Sequence, residues 1–169
     1  MPNSTCPICG CDLGEMPLCF GAEAPWRLMG VTDEQFAERV ALNSDTCMVD
    51  EKLFFIRGHI TIPVVDHAEP FIWSVWCSLS TESIRRMIQR WECCDRSDDP
   101  PYFGWLMSEV PVYPETRHLK TSIQSRDVGL VPEITVEPSD HPLAVDQQHG
   151  ITFLKAKEYI HRLLHTQKD

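Results

Sequence analysis

From Phe54 onward the chain alternates: Phe54, Ile56, Ile60, Ile62 and Val64 fall on one side of an extended segment, and Arg57, His59 and Thr61 on the other. This period of two predicts a strand with one buried face. Gly58 interrupts the apolar side, where a bulge or bend is expected, and Pro63 marks a strand end or an edge. Upstream, Cys47-Met48-Val49 and Leu53-Phe54-Phe55-Ile56 flank Asp50-Glu51-Lys52, the grammar of a hairpin. Residues 66–70 turn the chain into a run from Phe71 to Leu79 that is apolar on both faces, so it belongs in the middle of a sheet. Residues 119–125 and 130–136 form two further strands joined by Arg126-Asp127-Val128-Gly129, while residues 102–110 suit a strand or a short helix equally.

Helical signals separate these runs. In Val31-Thr32-Asp33-Glu34-Gln35-Phe36, Thr32 and Gln35 form a capping box and Val31 staples onto Phe36, which predicts a helix running to about Leu42. Ser80 caps a second helix whose buried stripe is Ile84, Met87, Ile88 and Trp91, ending near Cys93-Cys94. A last helix starts at Thr152 and buries Phe153, Ala156, Ile160, Leu163 and Leu164. Helices and strands alternate without a regular βαβ rhythm. The fold class expected is α+β, a largely antiparallel sheet with helices packed on one face and an irregular N-terminal Cys knuckle. The 169 residues suffice for one domain, with residues 1–20 a knuckle-bearing segment and residues 31–169 the α+β body.

Composition narrows the function classes. A net charge of −10 opposes non-specific nucleic-acid binding, which rests on Lys and Arg. The densest basic cluster, Arg85, Arg86 and Arg90, reads as a solvated helix face. The N-terminus has no basic region leading into an apolar run, and the longest uncharged apolar stretch is too short to cross a bilayer. A cytoplasmic protein is expected, without membrane or nucleic-acid partners. Its eight cysteines then read as thiols or metal ligands rather than structural disulfides.

The sharpest chemistry is Cys6-Pro7-Ile8-Cys9-Gly10. A tight turn sets two thiolates on one cation, and the glycine tolerates the left-handed backbone that follows. One such pair is half of a tetrahedral zinc site, and the chain has no second Cys-x-x-Cys. Cys11, Cys19, Cys47 or a histidine would supply the rest, and one structural zinc per chain is expected. A thioredoxin-type redox pair would need a strand before Cys6, and none is read there.

Elsewhere, Asp140-His141-Pro142 with Asp146 and Gln147 is the densest polar cluster. His141 there is a candidate base or metal ligand, and with Asp66-His67 it would make a metal-dependent hydrolase. The local grammar instead has Asp140 capping a short helix that Pro142 opens, with His141 tied into the cap. Trp73 and Trp76 lie on opposite faces of one strand, so Trp76, or Tyr102 and Trp105 in Tyr102-Phe103-Gly104-Trp105, is a candidate ligand or partner surface together with His141. Nucleophile-elbow, phosphate-loop and His-Glu-x-x-His motifs are absent from the sequence.

The knuckle, Ser44-Asp45-Thr46-Cys47-Met48-Val49-Asp50, Trp73-Ser74-Val75-Trp76-Cys77, Pro100-Pro101-Tyr102-Phe103-Gly104-Trp105-Leu106 and Asp140-His141-Pro142-Leu143-Ala144-Val145-Asp146-Gln147, in this order and spacing, resemble the bacterial family catalogued as domain of unknown function 2199. The resemblance spans nearly the whole chain. It implies a bacterial cytoplasmic protein with no established reaction, and it supplies no catalytic residue. It also implies that Cys6, Cys9 and Cys47 are shared positions, which favours Cys47 over Cys11 as a third zinc ligand. Cys11, Cys19, Cys77, Cys93 and Cys94 look particular to this sequence. The reading that results is a non-catalytic binding or regulatory module with an unknown protein or small-molecule partner and a Cys-bound zinc.

Overall fold

The computed structural model describes residues 19–166. Its strands are β1 (Cys19–Gly21), β2 (Val40–Leu42), β3 (Thr46–Val49), β4 (Leu53–Ile62), β5 (Phe71–Leu79), β6 (Tyr102–Trp105), β7 (Lys120–Gln124) and β8 (Glu133–Val136). The helices are α1 (Phe36–Arg39), α2 (Thr81–Gln89), α3 (Pro142–His149) and α4 (Phe153–Thr166). The strands make one sheet in the order β1-β5-β4-β8-β7-β6, with β3 also on β4 and β2 on β3. Among the described strands, only β1 with β5 and β4 with β8 pair in parallel. The sheet coils until the chain beyond β6 returns to β5, through a Cys77–Leu106 bridge and a Met107 N–H donated to the Trp76 carbonyl at 2.9 Å.

The predicted hairpin is β3 and β4. Its turn holds two non-glycine residues in the left-handed region, Asp50 at φ 54° and Glu51 at φ 55°. Asparagine or glycine would take that backbone more cheaply. Here Arg39 compensates with a fork, Nε and Nη2 each donating to an Asp50 carboxylate oxygen at 2.8 Å. The same arginine ends α1, so the helix stops well short of Leu42. Val40–Leu42 instead pair with Cys47–Val49 as β2, because the hairpin offers a free strand edge and the β-branched Val40 fits an extended chain. At the helix start the Gln35 side chain does accept the Thr32 amide at 3.2 Å.

β4 and β5 keep regular antiparallel register from Phe54–Leu79 to Ile62–Phe71, with no bulge at Gly58. The glycine serves close approach instead. A Cβ there would stand 2.5 Å from Ile134 Cδ1 and 2.8 Å from the Pro132 carbonyl oxygen, so only glycine lets β8 come this near β4.

The inner face of the sheet, with Ile56, Ile60, Ile62, Phe71, Trp73, Val75 and Cys77, gathers the main core with Ile84 and Met87 of α2, Leu143 and Ala144 of α3, and Ala156 and Ile160 of α4. Three helices thus feed one core, in keeping with the expected layering. Ser80 Oγ caps α2 by accepting the Ser83 amide at 3.1 Å. Two residues depart from the predicted stripes: Ile88 is 60% exposed and Leu164 37%, since each helix turns a narrower arc to the sheet than its apolar pattern offers. On the outer face a smaller core of Val31, Cys47, Val49, Phe55, Trp76 and Met107 lies under the short 3-10 segment Pro25–Met29. Among the described residues no helix is long and apolar enough to cross a membrane.

Candidate functional site

Of the expected zinc ligands, Cys6 and Cys9, with Cys11, lie outside the described residues. Cys47 sits on β3 in the smaller core, buried among Val49, Phe55, Trp76 and Met107, and burial pushes its thiol up to about 11. Among the described residues no three His, Cys, Asp or Glu side chains group as a metal site, so a zinc centre here requires the N-terminal pair.

The histidines of the hydrolase reading have structural partners. His141, rather than Asp140, is the N-cap of α3: its Nδ1 accepts the Leu143 amide at 3.1 Å, ahead of Pro142. Because Nδ1 accepts, Nε2 carries the proton and donates it to the Glu115 carbonyl at 3.0 Å. His67 Nδ1 accepts the Glu69 amide at 3.1 Å, and its ring stacks on Phe153 with centroids 4.5 Å apart. Asp66 accepts the Phe153 amide at 2.7 Å at the start of α4. His141 Nδ1, His67 Nδ1 and Asp66 Oδ1 thus each serve a local turn or helix end. Of the basic cluster, Arg90 is forked onto Asp99 at 2.8 and 2.9 Å.

Trp76 and Tyr102 are buried, so neither forms a surface; Trp105 is open, 40% exposed and edge-on to the exposed Phe103 with centroids 5.1 Å apart. Trp76 has a positioning job. Its indole N–H donates to the Ala22 carbonyl at 3.3 Å, its amide donates to Ser108 Oγ at 2.9 Å, and its carbonyl accepts from Met107. These bonds fix the two walls of a crevice of about 310 Å³, lined by Ala22, Pro25 and Leu28 on one side and Met107, Ser108 and Pro111 on the other. Arg27, Glu23 and Glu109 stand at its lining as charged groups.

A second polar assembly lies on the outer face of β4, where Arg57, His59 and Thr61 share one side. Ser74 stands opposite His59 on β5 and Glu133 opposite it on β8. Arg57 Nε donates to the Ser44 carbonyl at 2.6 Å, and Arg126 Nε to the Val131 carbonyl at 2.6 Å. Burial, then the charges of Arg126 and Arg57, hold the His59 imidazolium below the usual range. Glu133 accepts from the Thr61 hydroxyl at 2.8 Å and its amide at 3.3 Å, yet burial dominates and raises its carboxyl. The sequence pattern shows the row on β4. Arg126 and Glu133 join it through a parallel pairing that no local periodicity announces.

These elements define a mixed α/β protein built on a coiled, mostly antiparallel sheet, with a crevice and a polar patch on its outer face. Residues 5–151 match the family described as uncharacterized proteins conserved in bacteria, domain of unknown function 2199, and the chain belongs to that family. No curated protein and no solved structure matches it.

Proposed function

We propose that the chain is a non-catalytic binding module that takes a small, largely apolar molecule in the Trp76-braced crevice. The observation that carries this is the crevice itself: about 310 Å³ sits at the small-ligand end of pocket sizes, and its walls are braced before anything enters. The hydrolase alternative draws no support from His67 and His141, whose Nδ1 atoms serve a turn and a helix cap.

Zinc belongs to the same proposal as a staple, with Cys6 and Cys9 as two thiolates and Cys47 as the third candidate. Cys47 suits that role by position, since it lies beneath the segment that follows the knuckle. Its apolar surroundings oppose it until a metal displaces the thiol proton. Zinc would hold the N-terminal turn to the sheet and take no part in ligand chemistry.

The test is an NMR screen of labelled protein against a library of small organic fragments, run beside elemental analysis. Binding shifts should concentrate on Ala22, Leu28, Met107 and Ser108, disappear in Leu28→Lys, and accompany about one zinc per chain. Hits that persist in Leu28→Lys would refute the crevice, and metal-free protein with reduced thiols would refute the staple.

A further inference from the structure

We propose that Arg57, His59 and Arg126 on the outer face of the sheet bind a phosphate group. The arrangement is independent of the crevice, although the two adjoin, since Trp76 stands across the β4–β5 ladder from Arg57.

Both guanidiniums are set in the same manner. Each spends its Nε on a main-chain carbonyl at 2.6 Å, which orients the planar fork without neutralising it. The Nη ends are loosely engaged: Arg57 has Ser74 Oγ at 3.3 Å and Asp45 at 3.7 Å, and Arg126 has Glu133 at 4.0 Å. Carboxylates at 3.7 and 4.0 Å are ion pairs without hydrogen bonds, so these donors are not saturated by them. Both forks stay within reach of solvent, their side chains 31% and 33% exposed.

The counter-charges are partly engaged elsewhere. Glu133 directs its two oxygens at Thr61, and Asp45 is shared with the Ser44 hydroxyl at 3.2 Å. Two cations therefore flank a half-buried imidazole, and burial first, then their charges, disfavours its protonation. An incoming anion offsets the charge part of that penalty. A phosphate offers several acceptor oxygens to the two forks, and His59 can protonate and donate to another. A monocarboxylate offers only two oxygens and matches one fork. Anion uptake and proton uptake by His59 are thereby coupled.

The test uses full-length protein and follows the His59 ring by NMR, identified through a His59→Asn variant. Inorganic phosphate and O-phosphoserine are titrated at constant ionic strength, with chloride as control. Either phosphate should raise the His59 titration midpoint by about one pH unit, with saturation. Arg57→Lys and Arg126→Lys, which keep the charge and lose the fork, should each weaken binding about tenfold while the circular dichroism stays unchanged. Tighter binding of phosphoserine assigns the site to phosphorylated molecules and equal binding to the free ion; both uphold the site. An unmoved His59 titration at millimolar phosphate, or binding that survives both lysine variants in folded protein, overturns it.

Discussion

Tyr113 and Tyr159 place their hydroxyls on one carboxylate oxygen, each 2.7 Å from Asp146 Oδ2, and their rings meet edge-on with centroids 5.6 Å apart. Lys155 Nζ takes the other oxygen at 3.0 Å. The carboxylate is buried and ties the segment before β7 to α3 and α4. Removing it leaves two hydroxyls without their acceptor, so Asp146→Ala should cost about 3 kcal/mol in chemical denaturation. Asp146→Asn should cost less, about 1 to 2 kcal/mol, because one amide oxygen can still accept both phenols while its NH₂ faces Lys155. Equal losses in the two variants would show that the shared oxygen is not what matters.

The same cluster sets an alkaline limit. Burial, then the Asp146 carboxylate, raises the Tyr113 and Tyr159 phenols, and burial raises Tyr102. These are the chain's three tyrosines. A phenol raised in the folded state contributes stability that is whole below its unfolded value of about 10 and is lost as pH climbs past it. The native protein should therefore show no phenolate absorbance near pH 10, and its denaturation midpoint should fall from there upward. The full phenolate signal should arrive together with unfolding. A tyrosine titrating alone in folded protein would contradict the burial described.

Gly58 offers a sharper steric test. In Gly58→Ala the new methyl meets Ile134 Cδ1 at 2.5 Å and the Pro132 carbonyl at 2.8 Å. Overpacking of this kind typically costs about 1–3 kcal/mol, and the variant should lie at the upper end because a main-chain atom is involved. Trimming Ile134 to Val in the same chain should recover little, since Cγ1 and the carbonyl remain. Full recovery would mean that β8 shifts freely, against the register at His59–Glu133.

How much of this could be read in advance depends on where the deciding partner lies. Alternation from Phe54 to Val64 located β4 and its faces, and Ser80 located the start of α2, because those signals are local. Val40–Leu42 misled: its apolar residues suit the end of a helix as well as a strand, and the choice was made by pairing with β3. Gly58 looked like a fault in the alternation because the side chain it accommodates, Ile134, arrives from a distant strand. Asp146 stood within the polar cluster noticed in the sequence, yet Tyr113 and Tyr159 lie 33 and 13 residues away. Arg126 and Glu133 likewise meet His59 only through the parallel contact of β4 with β8.

His141 separates a structural histidine from a chemical one. Its cap bond to Leu143 and its bond to the Glu115 carbonyl join α3 to the segment preceding β7. His141→Ala should lose about 1 kcal/mol or somewhat more, as N-cap deletions do. His141→Asn, which keeps a side-chain acceptor at the cap, should restore most of the first bond. Fragment or phosphate binding should be unchanged in both. Loss of binding in a stable Asn variant would return His141 to the candidate site residues.

Thiol labelling tests the cysteine assignments and the staple together. Cys19 and Cys94 are exposed free thiols, whereas Cys47 and Cys77 are buried, and burial pushes their thiols up to about 11 and about 12. Since thiolate is the reacting form, at pH 8 Cys47 should carry only about a thousandth of its population in reactive form. Iodoacetamide mapping of native protein should then mark Cys19 and Cys94 and spare Cys47 and Cys77 until denaturant is added. A zinc-stapled N-terminus adds a second pattern: Cys6 and Cys9 should resist labelling as purified and become reactive after chelation. Cys47 decides the third ligand. If it becomes reactive with Cys6 and Cys9, it belongs to the metal site. If it stays protected after chelation and opens only on unfolding, its protection is that of the apolar core, and the knuckle must find its third ligand elsewhere.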